Sequence, residues 1–187
     1  METKQEQNKI SFTEQNPELI KDATLFKLVL TPLELFTLKY FLSNIHPVNI
    51  RQVYSHAIEV LFLLCFGDKE NYPEMKNTYY INFFQQLISS DYGLICLDFK
   101  IRRKEFKEVY TNKNNISITD FKKAQLEKLK KYKAKVPSYD KFQNIFERFE
   151  RIGIIYKRAK EGNIILYGLN PKFYNLFKDK TEEIINL

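Results

Sequence analysis

The chain has no tryptophan, and among its 187 residues only five are glycine, two are cysteine and two are histidine. So few glycines argue against a fold built on many tight turns or on phosphate-cradling loops. The patterns G-x-x-x-x-G-K-[ST], G-x-G-x-x-G and G-x-S-x-G are all missing. His46 and His56 stand ten positions apart with no C-x-x-C nearby, which is not the spacing of a zinc site. Glu105 and Glu108 share helical spacing, but Lys104 and Lys107 beside them make surface ion pairing the simpler reading. No other carboxylates cluster as a metal-dependent nuclease would need. The expectation is therefore a protein without metal or cofactor, and not an enzyme.

Long apolar runs are also missing. The longest, Val60 to Phe66, is far short of the roughly 18 residues that span a membrane and suits a buried helix end. The polar stretch from Met1 to Gln15 lacks the apolar centre of a secretory signal. Cys65 and Cys96 both lie in apolar surroundings and read as reduced core residues of an intracellular, cytoplasmic protein. No membrane partner is expected.

What the chain does have is an uneven charge. Its net charge is +7. Residues 100–160 carry 19 Lys/Arg against 7 Asp/Glu, whereas the remainder carries 11 against 16. A basic segment joined to a mildly acidic remainder is the electrostatic footprint of a protein that meets a polyanion.

The local signals give an order of elements. Residues 1–16 are polar and expected to be frayed or disordered. A helix is expected from about Pro17 to Lys27. Thr31-Pro32-Leu33-Glu34 is a capping box with proline at the first helical position, and opens a helix that ends near Asn44. The next helix starts near Asn49 and stops at Gly67, read as its C′ glycine. A helix over 78–89, a strand over 93–99 and a charged stretch with Arg102, Arg103, Lys104 and Lys107, a candidate wing, follow. Ser117 caps a helix reaching about Ala134. Pro137-Ser138 starts another, which ends at Gly153. Strands over 154–159 and 164–169 flank a turn at Lys160–Asn163, and Pro171 opens a terminal helix. Tyr79–Ile95 and Tyr139–Ile155 echo each other as an aromatic helix ending in glycine and two apolar residues.

On helix 138–152, Phe142, Ile145, Phe146, Phe149 and Ile152 share one face at 100° per residue, and that face must be buried. Lys141, Asn144, Arg148 and Arg151 form a separate polar stripe. Arginine can grip guanine edges or phosphates, and asparagine pairs with adenine. Asp140, Glu147 and Glu150 also lie on the polar side and would oppose deep docking on phosphate.

The order helix, proline-containing turn, amphipathic helix, glycine, strand, turn, strand over residues 118–169 resembles the winged helix-turn-helix superfamily of DNA-binding domains. The resemblance implies an α+β, mainly α fold, either one module with a long insertion or two tandem modules. Residues 17–112 would be an N-terminal helical module, read as a degenerate winged helix that packs internally or forms a homodimer. Residues 113–187 would be the DNA-binding module. It further implies that helix 138–152 enters the major groove, with Ser138 and Tyr139 near a phosphate. Lys157, Arg158 and Lys160 of the hairpin would touch the backbone or minor groove, and Lys122 and Lys123 would extend the basic surface, together with Lys128, Lys130, Lys131, Lys133 and Lys135. The implied partner is double-stranded DNA, and the implied role transcriptional regulation. A protein–protein adaptor and a plasmid or viral replication or maintenance factor are the alternatives.

Overall fold

A computed structural model describes residues 29–44, 46–67, 99–111 and 113–186. The helices expected over 17–27 and 78–89, the strand over 93–98, Cys96 and one half of the internal echo lie outside the described residues.

Helix α1 is Pro32–Leu42 and α2 is Ile50–Phe66. Both start as the sequence dictates. The Thr31 hydroxyl accepts from the Glu34 N–H while the Glu34 carboxylate accepts from the Thr31 N–H, a closed capping box with Pro32 at the first helical position. Asn49 and Gln52 form a second box at the start of α2. Gly67 ends α2 with φ −61 and ψ 152, so it does not use the left-handed conformation expected of it.

Helix α3 is Phe99–Thr111. It corrects the expectation of a strand end and wing here. Phe106, Val109 and Tyr110 recur at helical spacing and pack into the core, which leaves Arg103, Lys104 and Lys107 on a helix surface. A single 3₁₀ turn over Lys113–Asn115 leads to α4, Ile118–Lys131, capped by Ser117 as expected. Helix α5 is Tyr139–Arg151, and it stops because Gly153 adopts φ 81, a conformation that disfavours any side chain.

Strands β1, Ile155–Glu161, and β2, Ile164–Leu169, form an antiparallel hairpin. Gly162 takes φ 58 in its two-residue loop while Asn163 does not need a positive φ, as in a type II′ turn. A register shift between Lys157 and Ala159 makes Arg158 the extra residue of a bulge. The chain ends in α6, Pro171–Phe177, a 3₁₀ turn, and α7, Thr181–Asn186. The described residues are thus mainly helical with one small antiparallel sheet. None of their helices is long and apolar enough to cross a membrane.

One core cluster runs from Leu30 to Ile184. Helix α1 is buried all round, every residue from Leu33 to Lys39 included. Its Phe41 meets Phe146 of α5 at 5.3 Å between ring centroids, and Phe146 in turn meets Tyr167 of β2 edge-on at 5.0 Å. The apolar residues of α1 and α2 therefore pack internally. Helices α4 and α5 both pack on α2 rather than chiefly on each other. Before α2 the chain touches the hairpin: Val48 exchanges two backbone hydrogen bonds of 2.8 Å with Tyr167, giving the strand order Val48, β2, β1.

Candidate nucleic-acid interface

The amphipathic face of α5 is used as the sequence requires. Phe142, Ile145, Phe146 and Phe149 are buried, so the opposite side faces outward. Tyr54 of α2 meets Tyr139 edge-on at 5.7 Å and Phe142 at 5.8 Å, which sets the start of α5 beside the start of α2.

That junction forms a groove of about 210 Å³. Asn49 and Arg51 line it from the start of α2, Tyr139 from the start of α5, and Asn163, Ile164 and Ile165 from the hairpin turn. Arg51 and Asn163 are exposed and were not singled out from sequence. Arg51 carries a weak signal, a cation in the first turn of a capped helix. Asn163 was seen only as a turn residue.

The sequence-derived site residues divide into two groups. Ser138, Tyr139, Lys141, Asn144, Arg151 and Lys160 are exposed, as is Lys123 on α4. Ser138 begins α5 without its hydroxyl capping the helix, so that hydroxyl is not committed to a backbone N–H of the first turn. Three others, Arg148, Lys157 and Lys122, hold partners within the chain, and Arg158 is exposed on a different side. Arg148 pairs with the buried carboxylate of Glu34 on α1. Lys157 pairs with Glu150 of α5 at 3.2 Å, and this carboxylate raises its ammonium above the ordinary pKa. Lys122 turns toward α2, donating to the Ser55 carbonyl at 2.8 Å and pairing with Glu59 at 3.3 Å; burial lowers its pKa against the opposing pull of Glu59. Arg158 lies on the other side of the hairpin from Lys157, beside Tyr156 and Gly168.

The lysine run of α4 divides the same way. Lys128 and Lys131 both hold Glu105 of α3, Lys131 at 2.6 Å, while Tyr132 donates its hydroxyl to the same carboxylate at 2.8 Å and Lys128 reaches Glu108 at 2.8 Å. Burial by itself would raise the Glu105 carboxyl, but these donors outweigh it and hold its pKa at about 2. Lys130, Lys133 and Lys135 are exposed.

His56 is packed against the Phe36 ring at 5.6 Å and the Tyr40 ring at 5.0 Å, and burial lowers its pKa. It is a half-buried residue held between aromatic rings. Among the described residues no group of three His, Cys, Asp or Glu side chains could hold a metal ion.

What the arrangement can do chemically is limited but definite. One cation, Arg51, the two amides of Asn49 and Asn163 and the phenol of Tyr139 line the groove where two helix starts and a hairpin turn meet. That set can bond phosphate oxygens and base edges. Compared with protein-family models, with curated proteins and with solved structures, the chain gives no match in any of the three.

Proposed function

We propose that this chain is a winged-helix protein that binds double-stranded DNA, in the role of a transcriptional regulator. The observation that carries the reading is the convergence of the α5 start, the α2 start and the hairpin turn on one groove, with Arg51, Tyr139 and Asn163 around it.

In this reading α5 is the recognition helix, and α2, not α4, is the helix that packs behind it. Asn144 and Arg151 face the bases, while Ser138, Tyr139, Lys141 and Arg51 contact phosphates. Lys160 and the turn residue Asn163 make the wing contact. Arg148 and Lys157 act from within, fixing α5 to α1 and to the hairpin. One observation favours an adaptor instead: the outward side of α5 also carries Asp140 and Glu147, and Gln143 donates to Glu147 at 3.1 Å.

Salt dependence separates the two readings. Fluorescence anisotropy of a labelled random duplex between about 50 and about 200 mM salt should give a log–log slope of about −0.9 per phosphate neutralised, so about −3 to −4 for four engaged cations. Absence of duplex binding at the lowest salt rejects the DNA reading and leaves the adaptor.

A further inference from the structure

A second concavity lies on the reverse side of the hairpin. It has a volume of about 400 Å³, within the range of small-molecule sites. Tyr156 and Arg158 reach it from β1, Gly168 from β2, Tyr174 and Asn175 from α6, and His46 from the connection between α1 and α2. None of these residues except Arg158 figured in the sequence-derived site.

Its chemistry is specific. The two tyrosines are 37% and 44% exposed although they line a pocket, so part of each side chain is open to solvent. Among the described residues the lining holds one arginine and one histidine and no carboxylate. Gly168 lies between Tyr156 and Arg158: a Cβ there would stand 3.4 Å from both the Tyr156 ring and the Arg158 Cδ. Arg158 shares this side with Tyr156, two residues before it, as the alternation of side chains along a strand dictates, while Lys157 between them points to Glu150.

We infer that this concavity binds a free nucleoside monophosphate. The tyrosine rings supply stacking surfaces for the base. Arg158 is the fork for the phosphate, with His46 as a second donor. The carboxamide of Asn175 offers both a donor and an acceptor to a base edge. An inorganic anion would leave most of the volume empty, and an uncharged aromatic compound would leave the guanidinium without a partner. The site is independent of the duplex-binding reading, because it lies on the opposite side of the hairpin from Lys157.

Isothermal titration calorimetry on the full chain tests the inference with AMP, GMP, CMP and UMP, each set against adenosine and inorganic phosphate. At least one mononucleotide should saturate with a Kd below about 1 mM, with adenosine and phosphate each about tenfold weaker or more. Tyr174→Ala and Arg158→Gln change exposed side chains and should each weaken that binding about tenfold while leaving the thermal melt in place. The inference is overturned if no mononucleotide saturates in that range, or if both variants bind as the parent does. It is equally overturned if a short single-stranded oligonucleotide binds more tightly than the monomer, which would assign the surface to a nucleic acid strand.

Discussion

Glu34 joins its own helix start to a residue 114 positions away: one carboxylate oxygen accepts from the Thr31 N–H and hydroxyl at 2.8 and 2.9 Å, and the other takes the guanidinium of Arg148. The carboxylate is 5% exposed and the arginine 38%. Removing either partner strips a buried charge of its counterpart or a helix of its cap. Glu34→Gln and Arg148→Met should each lower stability by roughly 1–3 kcal/mol. The double variant should cost less than the two single losses together. Urea melts of the four proteins measure this, and strictly additive losses would show that the pair is not coupled.

The same pairing changes what a DNA-binding experiment should show. Arg51→Ala and Arg151→Ala alter exposed side chains, so each should weaken duplex binding, flatten the salt slope by about 1 where it contacts phosphate, and leave the melting temperature unchanged. Arg148→Met should instead lower the melting temperature. Anisotropy and calorimetric melts on the same preparations distinguish the two classes. If Arg51→Ala binds duplex as the parent does at low salt, the groove at the start of α2 is not part of the interface.

Acid should loosen the joint between α3 and α4. The Glu105 carboxyl is held at about 2, below its ordinary 4.5, so the folded chain binds this proton less readily than the unfolded chain. Its contribution is complete above pH 4.5 and is lost as pH falls from there toward about 2. His56 acts earlier and in the same direction: burial lowers its pKa from 6.5, so acidification below that value favours the unfolded state. Thermal melts from neutral pH downward should therefore show a first loss below 6.5 that His56→Gln removes, and a second below 4.5 that Glu105→Gln removes. A melting temperature that Glu105→Gln leaves equally sensitive to acid over the lower range would refute the assignment.

Gln125 of α4 is fully buried, and neither atom of its amide has a hydrogen-bond partner among the described residues. Burying an unsatisfied amide costs roughly 1–3 kcal/mol. Gln125→Met keeps the length of the side chain and removes the polar atoms. It should raise stability by about 1 kcal/mol in chemical denaturation. A loss of similar size would mean that the amide is satisfied in solution.

What the sequence discloses here is local. Thr31, Pro32 and Glu34 specify the start of α1 within four residues, Ser117 specifies that of α4, and Gly153 and Gly162 mark two of the three described places where the backbone takes a positive φ, the third being Lys133 after α4. The buried face of α5 follows from the spacing of Phe142, Ile145, Phe146 and Phe149 alone. What it conceals is pairing at a distance. Arg148 and Arg151 sit three apart on one stripe and look equivalent, but only Arg148 comes within reach of a carboxylate, and that carboxylate belongs to a helix far back in the chain. Lys122 and Lys123 are neighbours, yet one turns inward to Glu59 and the other outward. Phe99 closes an apolar run and so reads as a strand end, and the charges from Lys100 to Lys107 read as a candidate wing, because the helical period of Phe106, Val109 and Tyr110 is hidden among them. Likewise, α4 precedes α5 in sequence and was the natural partner for it, but packing brings α2 there instead.

The exchange of backbone hydrogen bonds between Val48 and Tyr167 has a kinetic consequence. It closes a loop that contains most of the polypeptide, and closing long loops is slow because their entropy must be lost before the contact is made. The hairpin can zip on its own from Gly162, but its outer edge stays unpaired until the N-terminal helices arrive. During synthesis Val48 leaves the ribosome long before Tyr167, so the strand that completes the sheet must wait for its partner.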